Sequence, residues 1–347
     1  MDNSKAEIFF KQQTTIQLLK SQQLGEARIE RKSLEAPLQA VYQRKLNRMS
    51  HLELFVSQSN VLGGIQKPFS KSKYVVLGVP FDVTSTYRTG ARFAPNAIRH
   101  ASQNIETYSF RTGIDAEDLP LHDLGDLHIS TSPKKTVENL KLVVEDILAA
   151  RKTPVLIGGE HTITYGALKG LGEKATETAV LCFDAHLDLR REYQGLKLSH
   201  TTYMRVINEK IKPAKIIEVG TRAVCKEELA YAKQVGIDFF TSQLIRKQGT
   251  MKTIQKIKEK LSSYKRVYLT IDMDVLDPAF APAVQNPEPE GMEPHILIDI
   301  LSHLCDKRLI GFDVVEITPV YDQGVSTVVA ARIILEVLCH LEKARKE

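Results

Sequence analysis

Six short runs of this chain, at residues 74–79, 154–158, 179–184, 215–219, 266–272 and 309–316, are apolar almost from end to end. A strand with one wet face alternates apolar and polar residues, whereas a strand covered on both faces does not. The intervening stretches carry a different period. Val137, Leu140, Val144 and Leu148 recur at helical spacing across 134–149, as do Met251, Ile254, Ile257 and Leu261 across 251–261. This succession predicts β-α units around a mostly parallel sheet, in a three-layer α/β/α architecture.

The joints between these runs are short, and no repeat or low-complexity tract interrupts residues 73–342, so residues 51–347 are expected to form a single domain. Residues 1–50 read differently. They are rich in Gln, Lys, Arg and Glu with scattered Leu and Ile, and are expected to be an N-terminal extension, helical or partly disordered, outside the chemistry. Met49 closes that region and offers an alternative start.

Composition serves mainly to exclude. The 47 Lys and Arg against 42 Asp and Glu give +5, spread over interspersed charges of both signs, and no basic run is interleaved with aromatics. Neither pattern suits nucleic acid. No segment reaches the roughly 18 uninterrupted apolar residues of a membrane span, and the first thirty residues lack a signal layout. Cys182, Cys225, Cys305 and Cys339 form no C-x-x-C pair, which predicts neither a disulfide framework nor a thiolate zinc site, and points to a reducing cytoplasm.

The chemistry is concentrated at three strand ends. The run V-L-C-F-D-A-H-L-D at 180–188 leads an apolar strand into Asp184, His186 and Asp188 at every second position, which extended backbone would turn to one side. V-Y-L-T-I-D-M-D at 267–274 repeats the design with Asp272 and Asp274, ahead of the L-D-P turn at 276–278. G-G-E-H at 158–161 supplies His161 behind two glycines that permit close approach. Side-by-side buried carboxylates are costly without a cation. Four carboxylates against two divalent ions leave a nearly neutral cluster, and oxygen-rich ligation with two imidazoles suits Mn²⁺, with Ni²⁺, Co²⁺ or Fe²⁺ as substitutes. Asp277, in the Asp-Pro turn, is expected to bond its own backbone.

These blocks resemble the signature segments of the ureohydrolase (arginase/agmatinase) family, over roughly residues 73–340. The likeness looks closest to archaeal-type agmatinases, through G-V-P-F-D at 78–82, T-G-A-R-F-A-P-N-A-I-R at 89–99, S-H at 199–200 and G-F-D-V-V-E at 311–316. The resemblance implies the arginase fold and two metal ions. One would be held by His161, Asp184, Asp188 and Asp272, the other by Asp184, His186, Asp272 and Asp274. It implies a metal-bridging hydroxide as nucleophile toward a guanidinium carbon. His200 matches a loop histidine that shuttles protons and lines the substrate site, a task its ordinary pKa suits. Glu316 matches the carboxylate that pairs with the guanidinium, and Asp188 a residue proposed to protonate the departing amine. Relatives form trimers or hexamers, which implies a homo-oligomer.

The chain also departs from that pattern. Glu160 stands where most members have Asp, and Gln285, Asn286 and Glu290 alter a loop that lines the pocket in relatives. Arg190 replaces an Asn typical of arginases, and a cation there suits the carboxylates of formimidoylglutamate, although His200 argues the other way. The expectation is hydrolysis of agmatine to putrescine and urea. The alternatives are formimidoylglutamate, guanidinobutyrate, guanidine or arginine as substrate, or a catalytically silent binding subunit.

Overall fold

The computed structural model describes residues 51–57 and 60–347. The extension expected at 1–50 lies outside them. Nine strands form one sheet: β1 (Val56–Ser57), β2 (Tyr74–Gly78), β3 (Leu121–Leu127), β4 (Thr153–Ile157), β5 (Thr178–Phe183), β6 (Lys215–Thr221), β7 (Asp238–Thr241), β8 (Arg266–Asp272) and β9 (Leu309–Val315). Their order across the sheet is β1-β3-β2-β4-β9-β8-β5-β6-β7. Every pairing is parallel except β1 with β3.

The apolar runs explain the layers. Along β2, Tyr74 and Val76 join one core while Val75 and Leu77 join the other. The first core is covered by the helices Ala94–Ser102, Thr250–Leu261, Pro294–Leu304 and Val325–Lys346, through residues such as Ile98, Ile257, Leu301 and Ile334. The second is covered by Pro133–Ala149 and Ile163–Gly170, through Leu140, Val144, Ile163 and Leu168. The sheet is thus wet on neither face in its middle, the condition inferred from its strands.

Two strands escape the apolar pattern. β3 reads L-H-D-L-G-D-L, and its inward positions include Asp123. That carboxylate is buried because Arg99, itself fully buried, reaches it with Nε at 2.8 Å and Nη2 at 2.9 Å. A paired fork and carboxylate can occupy a core position that a hydropathy pattern reserves for Leu or Val. β7 is a four-residue edge strand, too short to show a period. Among the described residues no helix is long and apolar enough to cross a membrane.

Sheet order positions the site. The chain builds β4, then skips two places to build β5, and only later fills the gap with β8 and β9. The carboxyl ends of β4, β9, β8 and β5 therefore lie side by side, with Ile157 opposite Val314, Val315 opposite Asp272, and Ile271 opposite Phe183. Open α/β sheets place their crevice at such a break in strand succession.

Candidate metal centre

The G-G-E-H segment leaves β4 through two glycines with φ of +78° and +84°. A Cβ on Gly158 would stand 2.5 Å from Pro95 Cδ, and one on Gly159 would stand 2.3 Å from the Val79 carbonyl oxygen. Both positions thus require glycine, for conformation and for space. Gly159→Ala is expected to destabilise the fold by about 3 kcal/mol or more, read as a lowered denaturant midpoint, because left-handed strain and a backbone clash add. An unchanged midpoint would show that the turn can relax.

This turn delivers His161, fully buried, with Nδ1 3.1 Å from Asp184 Oδ2, 3.1 Å from Asp272 Oδ2 and 3.9 Å from Asp188 Oδ2. A second group adjoins it: His186 Nδ1 lies 3.0 Å from Asp274 Oδ2 and 3.5 Å from Asp184 Oδ1. The six residues sort into two neighbouring sets that share Asp184.

Strand alternation does not produce this convergence. β5 ends at Phe183, and residues 184–188 form a turn in which Asp184 Oδ1 accepts the His186 N–H at 2.6 Å and Asp188 sits at φ +49°. After β8 a single 3₁₀ turn, Met273–Val275, carries Asp274, with Asp272 Oδ1 accepting the Asp274 N–H at 2.8 Å. Asp side chains that bond the backbone two residues on favour such turns over extension. Asp188 and Glu316 are two of the few non-glycine residues at positive φ among those described, and backbone strain of this kind collects at functional sites.

The electrostatics favour positive charge among these carboxylates. Burial pushes Asp188 and Asp272 well above the usual carboxylate range, reinforced at each by neighbouring carboxylates such as Asp184. Burial also opposes the charge of Asp184, but hydrogen bonds from His161 and His186 outweigh it and hold that carboxyl low. His161, disfavoured as a cation by burial, is nonetheless pushed up to about 9 by Asp184 and its neighbours. The cluster thus favours added positive charge beside its carboxylates. Divalent cations would supply that charge, and this oxygen and imidazole donor set fits such ions.

Cys182 requires a correction. The cysteine spacing predicts no thiolate metal site, yet the Cys182 thiol comes within 4.8 Å of donor atoms of His161 and Asp184. Burial, then the charges of Glu218 and Asp184, pushes the thiol well above its ordinary pKa. It stands as a neutral thiol, a poor ligand beside carboxylates.

Around the centre lies a cavity of about 510 Å³ whose lining includes His186, Asp188, Arg190, His200, Asp272, Asp274 and Glu316. Glu316 follows β9, is 2% exposed, and accepts the His161 backbone N–H at 2.5 Å through Oε1. Its Oε2 has no partner among the described residues, and burial raises its carboxyl well above the ordinary range. His200 is also buried. Its N–H is held by Thr84 Oγ1 at 3.1 Å, and its Nε2 lies 3.1 Å from Thr86 Oγ1. Burial, with the charges of His186 and His161, brings its pKa down to about 3. His200 is therefore a neutral imidazole at pH 7, not a group titrating at its ordinary value.

Arg190 lines the cavity with its guanidinium 5.0 Å from the Tyr193 ring centroid, and no carboxylate lies within salt-bridge distance of it among the described residues. Of the departing loop residues, Asn286 lines the cavity and Gln285 is fully buried behind it. Glu160 is fully buried and accepts hydrogen bonds from the Thr84 N–H at 2.7 Å, the Thr84 hydroxyl and the Thr162 hydroxyl at 2.6 Å. Through Thr84 it fixes the segment that holds His200. Asp277 bonds the Ala279 and Gly291 N–H groups, each at 3.0 Å, as a turn residue.

Several supporting residues carry no motif. Arg222 donates to the carbonyls of Asp274 at 2.6 Å and Glu288 at 2.8 Å, pinning the loop over the cavity. Thr270 and Asp313 stand behind His161, as does Tyr203. The signal for Thr270 and Asp313 is that each is polar within an otherwise apolar central strand.

Fold and site together define an α/β protein that gathers carboxylates and imidazoles at neighbouring strand ends to suit paired divalent cations. The chain belongs to the Arginase family, whose sequence model matches residues 72–340, and it is an agmatinase-like enzyme of the ureohydrolase type. It is 38% identical over 255 residues to an uncharacterised 32.2 kDa protein of Methanothermus fervidus, covering 72% of this chain and 85% of that one. It is 35% identical over 266 residues to an agmatinase of Bacillus cereus, covering 76% and 89%. The crystal structure of agmatine ureohydrolase of Thermoplasma volcanium superposes with a TM-score of 0.77 at 33% identity, covering 84% of this chain and 97% of that one. The family is one of binuclear metal enzymes.

Proposed function

We propose that the chain hydrolyses the guanidino group of a small alkylguanidine, agmatine foremost, giving putrescine and urea, with two divalent ions, Mn²⁺ before Ni²⁺ or Co²⁺. The orphaned Oε2 of Glu316 carries this reading. A buried carboxylate oxygen without a donor among the described residues, on the wall of a cavity shared with Asp272 and Asp274, suits one N–H of a planar cation.

His161, Asp184, His186, Asp188, Asp272 and Asp274 would hold the ions. When bound, such ions supply a water acidified toward neutrality and a positive field over the carbon under attack. The chain's own residues do the rest. Glu316 orients the guanidinium. Asp188, at positive φ and on the cavity wall, would pass a proton to the leaving amine, a role those two observations support. His200, neutral and fixed by Thr84 and Thr86, faces the same space as a proton acceptor.

Arg190 supports a second reading, a substrate whose tail bears a carboxylate, because its guanidinium lines the cavity without a salt-bridge partner among the described residues. The agmatinases among the relatives support the first. A panel of agmatine, arginine, guanidinobutyrate, guanidine and formimidoylglutamate, run with Mn²⁺ and with Ni²⁺, separates them. Urea from agmatine is the expected result. Formamide from formimidoylglutamate, with agmatine inert, would reverse the order.

A further inference from the structure

His161 faces two ways. Its Nδ1 points at the Asp184 and Asp272 carboxylates, while Nε2 lies 2.8 Å from Thr270 Oγ1 and 2.9 Å from the Tyr203 hydroxyl. To ligate a cation through Nδ1 the neutral ring must carry its proton on Nε2. The direction of the hydrogen bonds at Nε2 therefore decides whether the ring is ready for a metal.

Thr270 has a settled direction. Its hydroxyl donates to Asp313 Oδ1 at 2.5 Å, and Asp313 Oδ2 is occupied by Tyr268 at 2.8 Å and Thr164 at 3.0 Å. Thr270 Oγ1 is left as an acceptor for the Nε2 proton. Tyr203 is the undecided partner. If its O–H donated to Nε2, the ring proton would move to Nδ1 and point into the carboxylates, where it would exclude a cation. If its hydrogen turns away, the hydroxyl oxygen becomes a second acceptor and reinforces the metal-ready ring.

The structure provides a place for that hydrogen. Cys182 Sγ lies 3.5 Å from the Tyr203 oxygen and can accept that hydrogen, since either atom of the pair can serve as donor; its register partner on β6 is Glu218. The Tyr203 ring also stacks on His161, with centroids 4.1 Å apart and planes 22° from parallel, which limits rotation of the imidazole. All four residues are buried.

We infer that Tyr203 is a positioning residue for His161: its oxygen accepts a hydrogen bond from the Nε2–H, its own O–H turns toward Cys182, and it thereby sets the affinity of the metal position that His161 serves. This rests on the two-metal reading above, and Tyr203 itself touches neither the ions nor the substrate.

The test is Mn²⁺ binding to metal-stripped full-length protein, followed by the spin-resonance signal of free Mn²⁺ together with thermal melting. The parent is expected to bind two ions. Tyr203→Phe keeps the ring and loses the hydroxyl; one ion should weaken about 10-fold while the other holds, with Tm unchanged. Cys182→Ala, which leaves both rings in place, should weaken the same ion by a smaller factor, about 3-fold.

Two ions bound by Tyr203→Phe as tightly as by the parent would overturn the inference. So would equal weakening of both ions with a fallen Tm, which marks Tyr203 as packing alone. If Tyr203→Phe does not fold, parent-like affinity in Cys182→Ala overturns it instead. A parent that binds no Mn²⁺ overturns the two-metal reading and this inference with it, an outcome distinct from the others.

Discussion

Asp184→Asn should lower kcat by at least about 10³-fold, a loss no smaller than that from removing one strong electrostatic contact to a transition state. Bound metal, measured by elemental analysis, should fall from two ions per chain to one or fewer. The reason is position. Asp184 Oδ2 faces His161 and Oδ1 faces His186, so it is the carboxylate shared by both sets. The amide preserves shape and can still accept the His186 N–H through its oxygen, yet it removes the charge common to both. Two ions retained with near-parent turnover would sink the dinuclear assignment.

Glu316→Gln should behave differently. Its carboxylate lies off the metal sets, so metal content should stay at two ions while kcat/KM for a guanidino substrate drops on the order of 10²- to 10³-fold, as when one partner of a buried charge pair is lost. The amide oxygen can replace Oε1 as acceptor for the His161 N–H, leaving the G-G-E-H turn intact. Thermal stability should hold or rise, because the substitution removes a buried carboxylate with one oxygen unpartnered among the described residues. A loss of Tm in step with the loss of activity would mean that Glu316 serves the turn rather than the substrate. Together the two variants separate holding metal from holding substrate.

Much of the architecture is legible without coordinates. Strands covered on both faces cannot alternate, and β2, β4, β5, β6, β8 and β9 announce themselves for that reason. β3 does not, because Arg99 and Asp123 occupy a core position as a pair, and that pairing belongs to two distant segments. The six candidate ligands are legible too, since apolar runs that end in Asp and His have few inexpensive explanations.

How those six converge is not. Extended spacing suggests same-side ligands, but the backbone reaches the same result through Asx turns, a 3₁₀ turn and a positive-φ Asp188. Local spacing constrains which side chains are near in the chain, not the path that aims them. The residues behind the ligands were less visible still. Thr270, Asp313 and Tyr203 acquire a role only because β9 lies beside β8 and the segment after His200 folds back onto His161. His200 shows the same limit from the other side: its ordinary pKa is a property of the residue, while its neutral state comes from burial beside two other imidazoles.

The amino-acid sequence by itself determined the layered α/β class, the strand ends that carry chemistry, and the charge balance that calls for divalent cations, because hydropathy, spacing and formal charge are local quantities. Only the tertiary structure decided that β8 and β9 fill the gap between β4 and β5, that Glu316 has an oxygen unpartnered among the described residues beside the centre, and that Tyr203 stands against His161. Those depend on which distant segments are brought together, and burial then fixes the protonation that each of them carries.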